Sequence, residues 1–507
     1  MKKALLVLAV LAMALFAGQS VKAQDTVFSH THLGTTLYYI IDSVGDATLV
    51  PPLYPNIDTV NDEMWTGYTK PQGAVVIPDS VPFGGSNHAV TKVGYCAFFK
   101  CYDVTHVTMP STLRAIDRHG FLSCTSLTSP VVPEGVTTIG LGAFDKCTSM
   151  QTITLPSTLT SIGDYAFYEC YSLQSLTFPG SLTTIGVLAF YRSGLTEVVL
   201  PEGLTSLGIF AFSECGALQS VNFPSTLSTI SGACFQGDTS LTSVIIPEGV
   251  DTILQWAFYY CKSLPTVTLP MTLKYIGQNA FGFCTSLDSV YCPDSIRYIG
   301  PEAFVYCSNL ATIRLPEQLE RVNGWLLYGT AVREVVVPSN VTFIDTSAFS
   351  ACLQLHKVTL PASLTAIAEH LFEDGTVLDT IILLCSTPPT AYVNDFTDYT
   401  ATLIVPCGAA AAYSQHPIWG RFTNITEDCN AIDVACLDNV NVYAHDGRII
   451  VDGADGKTVR MYDSMGREMI NCEIRSSNFE IHNSTMPAGI YMVQVGNHPA
   501  RKVVVIR

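Results

Sequence analysis

The sequence predicts a mostly β repeat solenoid, about thirteen units of 22–23 residues with short turn or helical segments, followed by a small β-sandwich. The first observation behind this is the proline period. Prolines close short β-like runs at Pro110, Pro133, Pro156, Pro179, Pro201, Pro224, Pro247, Pro270, Pro293, Pro316, Pro338 and Pro361, always 22 or 23 residues apart. Fixed self-similarity of this length marks a stacked-repeat architecture. The second is apolar register inside the unit. Three residues past the proline stands Leu or Val (Leu113, Val136, Leu159, Leu182), then mostly Ile (Ile116, Ile139, Ile162, Ile185), then Phe (Phe98, Phe121, Phe144, Phe167, Phe190, Phe212). One such unit cannot bury these side chains alone, but a stack buries them as columns. The third is loss of the rhythm after about Ala431. From there Val440–Tyr443, Arg448–Val451, Thr458–Tyr462 and Gly489–Val495 alternate or run apolar between Gly-containing turns, the pattern of a small immunoglobulin-like antiparallel β-sandwich.

The first 23 residues stand apart from the fold. Lys2 and Lys3 form a basic start, Ala4 to Ala17 is apolar, and Val21-Lys22-Ala23 offers small residues before a cut between Ala23 and Gln24. This is the anatomy of a secretory signal peptide. The apolar run is shorter than the roughly 20 residues a membrane span needs. No later stretch reads as a transmembrane segment. The expected organisation is a signal peptide (1–23), an N-terminal cap (24–70), the solenoid (71–385), its C-terminal cap (386–430) and a terminal domain (431–507). Thr36–Ile41 reads as a first strand that covers the open end of the stack, where backbone groups would otherwise lack partners. Gly84-Gly-Ser-Asn87 reads as a mobile loop.

Charge narrows the partners. Only 14% of residues are charged and the net charge is −17. An acidic surface repels phosphate backbones, so nucleic acid is not an expected partner.

Seventeen cysteines in an exported chain raise the question of disulfides. Nine of them follow the repeat Phe by three residues: Cys101, Cys124, Cys147, Cys170, Cys215, Cys261, Cys284, Cys307 and Cys352. Ser193, Asp238, Thr330 and Gly375 replace them in other units. A bridge would lose its partner at such replacements, so an unpaired packing ladder is expected. Ligands spaced along one column cannot surround a metal, and no metal or other cofactor is expected. Cys385, Cys407, Cys429, Cys436 and Cys472 lie outside the ladder, and the sequence leaves their pairing open; a Cys407–Cys429 bridge is one arrangement.

The unit, shown almost whole in Thr152-Ile-Thr-Leu-Pro-Ser-Thr-Leu-Thr-Ser-Ile-Gly-Asp-Tyr-Ala-Phe-Tyr-Glu-Cys170, resembles the BspA-type leucine-rich repeat over roughly residues 70 to 385. The resemblance implies a right-handed solenoid with one short strand and one turn or helical segment per coil. It departs at Val322–Leu327, where the Ala-Phe pair is lost, and after Phe372. The stretch Met486-Pro-Ala-Gly-Ile-Tyr-Met-Val-Gln-Val and the basic end to Arg507 resemble the C-terminal sorting domain of the type IX secretion system of Bacteroidetes. That resemblance implies translocation across both membranes, engagement of the secretion machinery, and display at the outer membrane, usually on lipopolysaccharide, or release.

No motif for catalysis is present, neither a nucleophile elbow nor a zinc-protease, phosphate-loop or EF-hand signature, and no enzyme activity is expected. His30 and His32 share a strand face but fit a solvated segment better than a metal site. What remains is a surface. Side chains alternate along a strand, so residues one and three before the proline, such as Leu155 and Ile153, point inward. Those two before it form an outward ladder that includes Val199, Asn222, Ile245, Thr268, Tyr291, Arg314 and Val336. An uncharged, partly apolar strip suits contact with a protein or a glycan. Two readings follow: the resemblance to BspA-type repeats implies an adhesin-like binding protein that contacts host or bacterial proteins or glycans, host extracellular-matrix or cell-surface proteins among them, and the alternative is a structural surface-layer component without a discrete ligand.

Overall fold

The structure, a computed structural model, describes residues 26–54, 62–376, 378–396 and 399–429, together with seven strands between 441 and 505. The signal-peptide reading, including Ala23 and Gln24, and Cys436 lie outside the described residues. The described residues fall into two compact units, the first within Met1–Leu355, Ala368–Val377 and Asn394–Thr397, the second within His356–Ile367, Leu378–Val393 and Asp398–Arg507.

The first unit is the β-solenoid the period requires. Most coils add two short strands, one before the proline and one ending on the Ile. Glu197–Val199, Ser220–Asn222 and Ser243–Ile245 pair in parallel without slippage. So do Ala115–Ile116, Thr138–Ile139, Ser161–Ile162, Thr184–Ile185 and Ser206–Leu207. Proline ends the first strand because it has no N–H to give the ladder. Its carbonyl then accepts the amide three residues on, as in Leu113 N to Pro110 O at 3.1 Å and Leu159 N to Pro156 O at 3.2 Å. Ile153 is buried as expected, whereas Leu155 is only half-buried, because the chain begins to turn there.

The third side of each coil is mostly turn, and no α-helix occurs there among the described residues of the first unit. Its backbone follows an uncommon rule. The residues two before and two after the column Phe take positive φ, usually without being glycine: His119 and Ser123 (58° and 60°), Tyr165 and Glu169 (56° and 54°), Trp256 and Tyr260 (59° and 65°). A side chain in this region costs roughly 1–2 kcal/mol. The arrangement is kept because it aims alternate amides at the next coil. His119, Phe121 and Ser123 donate to the carbonyls of Leu141, Ala143 and Asp145 at 2.7–2.8 Å. Buried amides that would otherwise be orphaned are thereby paired on the curved side as well as on the strands.

Inside, the phenylalanines form a continuous column. Neighbouring rings from Phe98 to Phe304 stack nearly parallel, with centroids 4.9 Å apart at the first pair and 5.6 Å at the last. Leu326 and Leu327 fill the Ala and Phe places in the departing coil and are fully buried, so the coil is conserved in shape despite the sequence change. Phe349, Phe372 and Phe396 resume the stack at 5.9 and 5.5 Å, beyond the point where the motif frays.

The cysteine ladder is unpaired, as its replacements imply. Most of the thiols reach back one coil to the carbonyl of the Phe there, as in Cys124 to Phe98 (3.2 Å), Cys147 to Phe121 (3.3 Å), Cys284 to Phe258 (3.2 Å) and Cys307 to Phe281 (3.0 Å), while Cys352 reaches the Leu327 carbonyl at 3.0 Å. Cys is thus a small apolar filler that also carries a weak donor. Burial holds these thiols protonated, pushing Cys284 up to about 12. A thiol-reactive disulfide reagent at pH 8 should leave the ladder cysteines unlabelled in the folded chain and label all of them in guanidinium. Labelling of Cys147 or Cys284 under native conditions would contradict this packing.

Asp238 is the costly replacement. It is fully buried, its Oδ1 accepts the Cys215 amide at 2.8 Å, and its Oδ2 has no partner. Burial raises its carboxyl well above the ordinary range, so the folded chain keeps the proton. Below the unfolded-chain value near 3.9 both states hold that proton and nothing is lost. Above it the unfolded chain releases the proton first, and stability falls with rising pH up to the folded-state value. Asp238→Asn has no proton to release, so relative to the parent chain it should gain about 1.4 kcal/mol of stability per pH unit above about pH 4, up to the folded-state value. Urea midpoints of the two proteins should converge toward pH 4; a constant difference across pH would reject a titrating Asp238.

At the N-terminus, Phe28–His32, Thr35–Ile41 and Ala47–Val50 form an antiparallel meander. Its last strand pairs in parallel with Ser86–Val93, which continues to Ala115–Ile116. The expected first strand therefore extends the solenoid's own sheet. The mobile-loop expectation at Gly84–Asn87 is corrected. Ser80–Phe83 and Ser86–Val93 form a hairpin closed by Gly84 and Gly85 at φ 58° and 86°. Two consecutive left-handed residues give the turn whose twist matches the strands.

In the second unit, Lys357–Leu360, Thr380–Leu383, Thr402–Pro406 and Asn424–Asp428 continue parallel pairing. The helix Ala410–Gln415 follows the third of these, and a Cys407–Cys429 disulfide ties its approach to the end of the fourth. Tyr413 donates its hydroxyl to the Cys385 carbonyl and Trp419 its indole N–H to the Pro389 carbonyl, both at 2.8 Å and both buried. The terminal strands make two antiparallel sheets, one of Asn441–His445, Arg448–Asp452 and Asn478–Ile481, the other of Glu468–Glu473, Thr458–Tyr462, Gly489–Val495 and Arg501–Val505.

Candidate functional site

The outward ladder of the first unit is in register. Val199, Asn222 and Ile245 are directly paired neighbours on successive coils, and Ile245 bridges to Thr268. Each is exposed, and the apolar members are unusually so: Val199 is 52% exposed, Ile245 64% and Val336 54%. The inward neighbours Val198, Val221 and Val244 are buried, so the alternation is complete across these coils.

Tyr291 and Arg314 occupy the same ladder but behave differently. Both are half-buried, and they are paired across coils with the guanidinium 5.1 Å from the ring centroid. Arg314 donates to the Tyr291 hydroxyl at 3.3 Å, to the Cys292 carbonyl at 3.1 Å and to Asp294 at 2.8 Å. Its charge is compensated by Asp294, which follows the strand of the preceding coil. These two residues form a braced pair, and the open part of the ladder is Val199, Asn222, Ile245, Thr268 and Val336.

A second strip escaped the sequence reading. On the turn side, Tyr260, Phe283 and Tyr306 stack at 4.7 and 4.9 Å, Tyr328 meets Tyr306 edge-on at 5.3 Å, and Trp325 lies 4.5 Å from Tyr328. Tyr306 is 42% exposed and Trp325 41%. The signal was available: Tyr260, Phe283 and Tyr306 each follow a column Phe by two residues, at 23-residue spacing. It was hidden because a turn position gives no cue to which way a side chain points.

His30 and His32 lie side by side with ring centroids 6.4 Å apart. Among the described residues the one three-ligand cluster is Cys407, Glu427 and Cys429, whose sulfurs are committed to the disulfide. No helix of the described residues is long and apolar enough to cross a membrane.

A family model of the BspA-type leucine-rich repeat region matches residues 86–193, 183–311, 230–355 and 276–391. A second model, a domain of unknown function (DUF6383), matches residues 428–505. Among solved structures, the chain is similar to a leucine-rich repeat protein from Bacteroides ovatus, 22% identical, covering 76% of this chain and 99% of that one with a TM-score of 0.47. It is also similar to a leucine-rich cell surface protein from Faecalibacterium prausnitzii, 24% identical over 71% and 96%, TM-score 0.41. A leucine-rich repeat protein from Eubacterium ventriosum is 21% identical over 74% and 98%, TM-score 0.42. Comparison with curated proteins finds no match.

Proposed function

This chain belongs to the BspA-type leucine-rich repeat family, whose members are commonly surface or extracellular proteins, and from that premise we propose that it is an adhesin-like binding protein. The observation that carries the reading is the row of Val199, Asn222, Ile245 and Thr268, apolar and uncharged, held in strict register on paired strands. Exposed apolar side chains on a rigid sheet need no ordering when a partner arrives, so little binding energy is lost to entropy. The partner is a host extracellular-matrix or cell-surface protein, or a glycan, and Val336 extends the same face. The structural surface-layer reading predicts no saturable ligand.

The full exported chain should bind at least one member of a matrix-protein and glycan panel saturably. Val199→Asp and Ile245→Asp should each weaken binding at least tenfold with circular dichroism unchanged. Binding that persists in both variants would remove the strand face from the reading, and no binding across the panel would favour the structural alternative.

Residues 431–507 are, in the same proposal, the type IX sorting domain that delivers the solenoid to the outer surface. Deleting them in the producing bacterium should leave the protein inside the outer membrane; undiminished surface display would reject that role.

A further inference from the structure

We propose that Cys407, Glu427 and Cys429 form a site for a thiophilic divalent cation of the zinc class, opened when the Cys407–Cys429 disulfide is reduced. The site uses no residue of the strand face and does not depend on the binding proposed there.

Strand register brings the three groups together. Thr402–Pro406 and Asn424–Asp428 pair in parallel as far as Pro406 and Asp428. The next residue on each strand is a cysteine, so Cys407 and Cys429 stand opposite each other with Cα atoms 4.5 Å apart. Glu427 lies two residues before Cys429, and alternate residues of a strand share a side. One ligand atom from each of the three lies within 4.8 Å of the others. The carboxylate is fixed in place, because its Oε1 accepts the Ala410 amide at 2.9 Å. The amides of Ala410 and Gly408 also hold the Glu427 carboxyl below the ordinary carboxylate range, so it stays an anion.

Exposure sets this pair apart. The free cysteines among the described residues are all buried, whereas Cys407, Glu427 and Cys429 are all exposed. An exposed disulfide is the kind that dissolved thiols reduce. One low-molecular-weight thiol attacks a sulfur as its thiolate, breaking the S–S bond and forming a mixed disulfide. A second thiol then displaces the first. Two RSH thereby leave as RSSR, and their two electrons and two protons remain on Cys407 and Cys429 as thiols. A divalent cation releases both protons on binding. It gains two bonds to sulfur and one to a Glu427 oxygen, which leaves one tetrahedral position for water. Thiolates favour zinc-like ions over magnesium and calcium, which take oxygen ligands. The ion closes the same loop as the disulfide, so the two strands stay clasped in either redox state.

The test is titration of the full chain with Co2+ as a spectroscopic probe and Zn2+ as its competitor, before and after reduction by a phosphine under nitrogen. The reduced chain should bind one equivalent of Co2+ with thiolate charge-transfer and tetrahedral ligand-field bands. Zn2+ should displace it, and excess Mg2+ should not. The oxidised chain and the Cys407→Ser, Cys429→Ser double variant should show neither band. Glu427→Gln keeps an oxygen for the Ala410 amide, so it should fold as the parent does, retain the charge-transfer band and weaken Zn2+ binding at least tenfold. Zn2+ should raise hydrogen-exchange protection of Asn424–Asp428 in the reduced chain and not in the double variant. The proposal is overturned if the reduced chain binds no cation, or if the bands persist in the double variant, which would place the thiolates elsewhere. Equal binding by the oxidised chain, or unchanged affinity in Glu427→Gln, would overturn it as well.

Discussion

Phe190→Ala should lower the stability of the first unit by about 3–5 kcal/mol, the range for deleting a buried aromatic side chain. Phe190 is fully buried, stacked between Phe167 at 5.0 Å and Phe212 at 5.1 Å, with Phe178 edge-on at 5.6 Å. Its amide also bonds to the Ala211 carbonyl at 2.7 Å, so the backbone around the void is pinned and cannot collapse into it. In a stack, each repeat is stabilised chiefly by its neighbours. The loss should thus appear as local opening of the coils around Phe190, visible in hydrogen exchange before global unfolding. Phe190→Leu should cost clearly less, because Leu327 fills the equivalent place without disturbing the coil. Equal costs for the two variants would mean that volume at this site does not matter.

Removing the Cys407–Cys429 disulfide should destabilise the second unit by about 3 kcal/mol, the chain-entropy scale for a loop of this length. The bond closes 22 residues of sequence that hold the helix Ala410–Gln415 and the buried Tyr413 and Trp419. Both anchor bonds of those aromatics go to carbonyls about thirty residues earlier in the chain. In the Cys407→Ser, Cys429→Ser double variant, exchange protection of Thr402–Pro406 and Asn424–Asp428 should fall by an amount equivalent to that energy. The coils around Phe190 should be untouched. Unchanged protection in the second unit would show that the parallel pairing of these strands suffices.

Much of this molecule was legible in one dimension because its period converts sequence distance into spatial adjacency. Residues 23 apart must be neighbours, so the Phe column, the thiol ladder and the row from Val199 to Val336 follow from counting. The prolines mark the strand ends for a reason internal to each residue. Replacement of Cys by Ser193, Asp238 and Thr330 was enough to identify an unpaired ladder.

What counting could not reach depended on backbone and side-chain direction. No propensity announces that Tyr165, Glu169 and Trp256 adopt positive φ, because only the next coil's carbonyls make that strain worthwhile. The bracing of Tyr291 by Arg314 needs both side chains to lean along the stack. The close approach of the Tyr306 ring to the next coil needs Gly329 there, and the sequence presents that glycine only as a turn residue. Period and composition by themselves determined the solenoid, its core and its exposed ladder, since burial of apolar columns admits one arrangement of the repeat. The tertiary structure alone decided which turn-side rings stack, which charges are already compensated and which cysteines meet, because each of these rests on contacts between coils that no single unit contains.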